Sequence, residues 1–153
     1  MRTGRLGWAL AVAFAAATSA SCGLLDPYGD VQNELDANYD KWLAHRPRSY
    51  QYRLTQLCFC APAETRPYLV RVSDEQVVET KDAETGVAPP KNYASRSVID
   101  LFAVIRYAIS RNPDHIEVTY DPVIGYPAKI KVDYEERAAD DELEVRAEGL
   151  VGL

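Results

Sequence analysis

Apolar positions change their spacing several times along this chain, and each change marks an element. Val31, Leu35, Tyr39, Trp42 and Leu43 recur at helical spacing. They predict a helix from about Val31 to Ala44, capped by Asp30 and ended by Arg46-Pro47-Arg48. The period then drops to two: Tyr50, Tyr52 and Leu54 alternate with Gln51, Arg53 and Thr55, the mark of a half-buried strand. Pro67 opens a second strand through Val72, Ser73-Asp74-Glu75 turns the chain, and Val77-Val78 begins a third strand. Asp82 to Lys91, with Gly86, Pro89 and Pro90, reads as a loop. Ser97 and Asp100 then form a capping box, with Asp in place of the usual Glu, ahead of the stripe Val98, Leu101, Phe102, Ile105 and Ile109. Asn112-Pro113 stops this second helix. Three more alternating runs follow, at Ile116/Val118/Tyr120, Ile130/Val132/Tyr134 and Leu143/Val145/Ala147.

The resulting order is αβββαβββ. Strands joined by short turns are antiparallel, and alternation leaves one face of the sheet wet and the other covered. The expected architecture is an α+β domain, an antiparallel sheet of about six strands with both amphipathic helices on one face. The repeated order suggests a duplicated αβββ unit, although the two halves share no convincing residue-level identity.

The first residues have a different character. Arg2 and Arg5 precede the apolar run Leu6–Ala17, and small residues lead to Cys22. These are the parts of a secretory signal peptide; the run is short of the roughly 20 apolar residues that a membrane span needs. Ser19-Ala20-Ser21-Cys22 resembles the lipobox of bacterial lipoproteins, in which the cysteine becomes the lipidated first residue. Ser19 stands where that motif has a large aliphatic residue, so ordinary signal cleavage at the same bond is the alternative. Gly23, rather than an acid, follows the cysteine, which by the same resemblance implies the periplasmic side of the outer membrane in a Gram-negative host. The expected organisation is a signal peptide at 1–21, a lipidated tether at 22–29 and one α+β domain at 30–153. The membrane is then a partner through the lipid anchor, since each buried CH₂ contributes about 0.8 kcal/mol.

Composition narrows the function classes. A chain of 153 residues with 47% hydrophobic and 26% charged residues can bury one core. A net charge of −6 argues against nucleic acid as a partner, because phosphate binding leans on Lys and Arg. No G-x-S-x-G, H-E-x-x-H, P-loop or dinucleotide fingerprint occurs, so no catalytic residue, metal ligand or cofactor is assigned.

Cys58-Phe59-Cys60 is the most specific local feature. Strand parity points both cysteines to the face of Tyr50, Tyr52 and Leu54. Export favours a disulfide between them. In a regular strand, however, their Cα atoms would lie about 6.6 Å apart, close to the roughly 6.8 Å limit, so a bulge or turn is needed. Buried thiols, and a redox or metal role, are the other readings. A C-x-C alone supplies only two of about four metal ligands.

Gly125-Tyr126-Pro127 lies between two strands and reads as turn chemistry or as a partner-binding loop, with Tyr126 an exposed anchor. Asp133, Glu135, Glu136, Asp140, Asp141, Glu142 and Glu144 form an acidic run without the glycine or spacing of an EF-hand, and read as a solvated turn. His45 and His115 each stand alone.

Tyr50-x-Tyr52, Cys58-Phe59-Cys60, Val98-Ile99-Asp100-Leu101-Phe102, Tyr120-Asp121, Gly125-Tyr126-Pro127-x-x-Ile130, Asp133 and Asp140-Asp141-Glu142 occur in this order behind Cys22. In combination they resemble an uncharacterised bacterial family of small secreted or lipid-anchored domains, the domain of unknown function numbered 6174, from roughly Trp42 to Val145. The resemblance implies fold and location and carries no activity. The sequence therefore points to a cell-envelope lipoprotein that acts as a non-enzymatic binding or assembly module for another envelope protein. The reading from another class is a thiol-redox protein using Cys58 and Cys60.

Overall fold

The structure is a computed structural model that describes residues 27–89, 95–135, 137, 138 and 140–153. The elements run α1 (Gly29–His45), β1 (Ser49–Cys58), β2 (Tyr68–Ser73), β3 (Gln76–Asp82), α2 (Val98–Ser110), β4 (His115–Tyr120), β5 (Pro127–Asp133) and β6 (Leu143–Gly152). The expected αβββαβββ order and the α+β class are therefore observed. All six strands form one antiparallel sheet in the order β3-β2-β1-β6-β5-β4. The first and last strands of the domain meet at its centre, so the two αβββ halves are joined by main-chain hydrogen bonds over most of β1.

The helix α2 forms as its sequence dictates. Ser97 Oγ accepts from the Asp100 N–H at 3.3 Å, and Asp100 Oδ2 accepts from the Ser97 N–H at 2.7 Å. This reciprocal pair satisfies donors that a helix start otherwise leaves open. Helix α1 differs from expectation. It begins one residue before Asp30, at Gly29, with no side-chain cap, and Asp30 sits in the first turn, where its negative charge suits the positive end of the helix dipole. It ends at His45, and the capping residue Arg46 is extended because Pro47 follows.

The core lies between the helices and one sheet face. Leu35 and Trp42 from α1, and Val98, Leu101, Phe102, Ile105 and Ala108 from α2, pack over Tyr50, Tyr52, Leu54, Tyr68, Val70, Val72, Ile130, Val132, Val145 and Ala147. Each large side chain so buried contributes about 1.5–3 kcal/mol. Leu43 falls off this face and is exposed, unlike its expected partners in the α1 stripe. The opposite sheet face is open. It carries Arg53 opposite Glu148, Arg71 opposite Glu79, and Lys131 between Glu117 and Glu144.

Strand directions give the domain two distinct ends. The row Cys58–Leu143–Val132–Ile116 crosses one end of β1, β6, β5 and β4. At this end the Tyr28 hydroxyl, just before α1, donates to the carbonyl of Pro113, just before β4. The opposite end holds the Asp74-Glu75 hairpin, whose residues both have positive φ (47° and 62°), as a two-residue hairpin turn demands. Arg48 and Arg46 from the α1–β1 connection pair with Asp74 at 2.6 Å and Glu75 at 2.7 Å. The β4–β5 loop lies there too, with Lys41 Nζ donating to the Pro122 carbonyl at 2.5 Å.

Candidate functional site

The most distinctive surface sits where β1 ends. Cys58 and Cys60 are joined by a disulfide with a Cα–Cα distance of 5.3 Å. The chain shortens that distance with a tight turn, in which the Cys60 N–H donates to the Cys58 carbonyl at 2.9 Å. Of the readings open at the sequence level, the bonded pair is the one observed. The turn has a second consequence: Phe59 is thrown outward and is 83% exposed, the most exposed large apolar side chain among the described residues. The exposed ring thus sits between two residues that are covalently joined to each other.

Supporting contacts come from behind. Gln56 Nε2 donates to Cys58 Sγ at 3.2 Å, and Gln56 Oε1 accepts from Arg96 at 2.6 Å. Arg96 also offers its backbone carbonyl to the Tyr52 hydroxyl at 2.6 Å. The tip is thus tied through Gln56 and Arg96 to a buried tyrosine of β1. Phe59 and Leu57 flank a shallow depression of about 290 Å³, completed by Cys58, Leu143, Lys131, Asp140, Glu142 and Glu144. Glu144 is also paired with Arg146 at 2.5 Å. The acidic run expected to be a solvated turn therefore supplies part of the rim beside an apolar floor. Glu136 lies outside the described residues.

The exposed anchor expected at Tyr126 is not exposed in the structure. Tyr126 is only 8% exposed, with its ring against Trp42 at 6.5 Å between centroids. Gly125 and Pro127 are buried as well. Gly125 adopts φ +81°, and a Cβ there would lie 2.7 Å from the Asn38 carbonyl of α1. The loop is closed by Asp121, whose Oδ1 accepts from Val123 N at 2.9 Å and Ile124 N at 2.7 Å, and by the Gly125 N–H to the Asp121 carbonyl at 3.0 Å. Gly125-Tyr126-Pro127 docks the hairpin on α1, and no exposed aromatic is available there. Burial raises the Tyr126 phenol above its ordinary pKa, with nearby Asp121 adding to the effect.

His45 and His115 are exposed residues in different places, at the end of α1 and the start of β4. Cys22 and the expected signal peptide lie outside the described residues. Among the described residues no cluster of three or more His, Cys, Asp or Glu side chains is arranged to hold a metal ion.

The sequence pattern carries a signal for Phe59 that motif reading passes over. Leu57 and Phe59 occupy the same parity as Gln51, Arg53 and Thr55, which is the wet face of β1. Two large apolar residues on a polar parity mark an exposed apolar patch.

An open antiparallel sheet with two helices on one face and a disulfide-clipped aromatic tip defines a small α+β domain whose distinguishing feature is a surface. The chain belongs to a family of unknown function, DUF6174, whose family model matches residues 34–151. No curated protein matches the chain, and no solved structure does.

Proposed function

We propose that this chain is an exported, lipid-anchored, non-enzymatic binding module that presents the Cys58–Phe59–Cys60 tip to another envelope protein. The observation that carries the reading is Phe59, 83% exposed and pinned by the disulfide on either side of it. A clipped backbone fixes where the ring leaves the chain, so docking has only the ring's own rotations to order, a property suited to an interface anchor. The position of the tip supports the anchor as well. Phe59 and the start of α1 lie at the same end of the sheet, separated across it by about three strand spacings, or about 15 Å. The segment from Cys22 to Tyr28 spans at most about 25 Å when fully extended. A lipid on Cys22 would therefore hold the tip close to the membrane surface and to proteins embedded in it.

A photo-crosslinking residue at position 59, in cells, tests the reading. The expected result is a discrete adduct with an envelope protein, absent when the same residue replaces Val123, which is 72% exposed at the opposite end. No adduct at 59, or the same adducts from both positions, would overturn it. Intact mass of the membrane-fraction protein reports leader removal and acylation of Cys22 in the same preparation.

One feature favours a thiol-redox reading: both cysteines are partly exposed at the tip rather than sealed in the core. An incoming thiolate would attack one sulfur, form a mixed disulfide and release the other as thiolate. Graded reduction followed by mass spectrometry separates the two readings, because a redox role needs a bond that opens and closes under mild reductant, whereas binding involves no turnover of the bond.

A further inference from the structure

The depression beside Phe59 has a chemistry of its own, and it specifies the partner that the proposed binding function leaves open. Its apolar part is Leu57, Phe59 and Leu143. Its charged lining is Asp140, Glu142 and Glu144, with Lys131 the single cation. At about 290 Å³ it lies at the lower edge of small-molecule sites, and it is open rather than enclosed. That size suits one side chain entering from a larger partner, seated against an aromatic ring, as at the centre of protein interfaces. Glu144 is already held by Arg146 at 2.5 Å and by Lys129 at 4.0 Å, so the acidity this rim offers a partner comes from the exposed Asp140 and Glu142. It attracts cations and repels phosphate, so it disfavours an anionic lipid headgroup and favours a polypeptide carrying Lys or Arg.

We infer that this depression receives an apolar side chain flanked by Lys or Arg from a partner polypeptide, Phe59 making the apolar contact and Asp140 and Glu142 receiving the cations. The inference rests on the proposed binding role of the tip and adds the partner's chemistry to it.

The test uses the full chain in phosphatidylcholine nanodiscs and three synthetic peptides, one alternating Lys and Phe, one alternating Glu and Phe, and one alternating Lys and Ser. Methyl signals of Leu57 and Leu143 report occupancy. The Lys–Phe peptide is expected to bind tightest and to weaken as salt is raised. Its affinity is expected to fall about fivefold to tenfold in the double variant Asp140→Asn, Glu142→Gln, two exposed charge pairs being lost. Phe59→Ser, a change at an exposed position that leaves the core intact, is expected to abolish binding. Equal binding of the Glu–Phe peptide, or affinity unmoved by the double variant, would overturn the inference. So would contact of Phe59 with lipid, seen as broadening of its ring signals by spin-labelled phosphatidylcholine that Asp140→Asn, Glu142→Gln leaves unchanged. A crosslink from position 59 to an envelope protein, combined with no preference for the Lys–Phe peptide, would remove this inference while leaving the binding role standing.

Discussion

The hydroxyl of Tyr50 on β1 accepts a hydrogen bond from the backbone N–H of Val98, the first residue of α2, at 3.0 Å. Ser97 and Asp100 take up their own donors through the capping box, and Tyr50 supplies an acceptor for a further one from beneath the helix. Tyr50 and Val98 are both fully buried, so water cannot replace this bond. Burial also drives the Tyr50 phenol well above its ordinary pKa, keeping it neutral at any physiological pH. Tyr50→Phe keeps the ring and removes the acceptor. It is expected to destabilise the domain by about 1–3 kcal/mol, the cost of an orphaned buried N–H. The check is a shift in urea midpoint with the slope unchanged.

Gly125 makes a comparable demand on geometry. Its φ of +81° disfavours any side chain, and its missing Cβ leaves room for the Asn38 carbonyl. Gly125→Ala is expected to cost about 2–4 kcal/mol through strain and the displaced carbonyl together. Gly125→Asn separates the two causes, since Asn tolerates positive φ but still carries the Cβ. If the close approach dominates, both variants lose comparable stability in thermal melts.

These two positions also show what the sequence can convey. The α2 boundary is legible because Ser97, Asp100 and Asn112-Pro113 act within a few residues of the helix ends. The inward set of β1 is legible because alternation needs no partner. The union of β1 with β6 is not, because it depends on pairing between residues far apart in the chain, such as Cys58 with Leu143. Tyr126 illustrates the same limit at a site. A tyrosine in a Gly/Pro turn looks like a surface residue until Gly125 brings its loop against α1 and Trp42 meets the ring. Phe59 is the converse: its neighbours suggest a hidden cysteine pair and draw the eye from its own wet-face parity, and the turn between Cys58 and Cys60 that clips the tip depends on geometry that alternation does not carry.

Tyr120 at the end of β4 is a place where the domain is expected to gain from a substitution. Its ring stacks on Phe102 at 6.3 Å, but its hydroxyl is enclosed with no hydrogen-bond partner among the described residues. Burial raises this phenol as well. Tyr120→Phe removes a polar atom that loses water without compensation. Stability is expected to stay level or rise by about 1 kcal/mol, read as an equal or higher melting temperature. A fall of that size would show that the hydroxyl has a partner in solution.

Two carboxylates give opposite contributions to acid stability. Asp82, at the end of β3, accepts from the Thr85 N–H at 2.8 Å and the Glu84 N–H at 3.0 Å, and meets Arg66 at 2.9 Å. The Thr85 hydrogen bond is the largest cause holding its pKa below the ordinary 3.8. A depressed carboxyl stabilises the fold above the unfolded-state value, and that contribution drains as pH falls through the folded one. Glu75 is displaced the other way, above 4.5, with desolvation outweighing its Arg46 pair. Its effect on stability is therefore most favourable below 4.5 and declines as pH rises through its folded value. Carboxyl NMR titration is expected to find Asp82 below and Glu75 above their ordinary values. Asp82→Asn is expected to flatten the loss of stability on acidification below pH 3.8, relative to the unaltered chain.

Opening the disulfide separates holding the fold from holding the tip. The bond joins residues two apart, so it removes little freedom from the unfolded chain, and a loop this short corresponds to under about 2 kcal/mol. The core lies elsewhere, between α1, α2 and the covered sheet face, and does not depend on it. Cys58→Ser, Cys60→Ser together are expected to leave a cooperative urea transition with a modestly lower midpoint. The tip responds differently. Without the covalent clip, Phe59 samples many orientations, and a partner must order it on binding. The double variant is therefore expected to bind the Lys–Phe peptide more weakly than its small loss of stability would suggest, while amide exchange in β1 stays protected from Tyr50 to Leu54. Loss of the whole transition would instead make the bond a structural staple, and unchanged peptide affinity would show that the turn alone, through the Cys60 N–H and the Cys58 carbonyl, is enough to hold Phe59 in place.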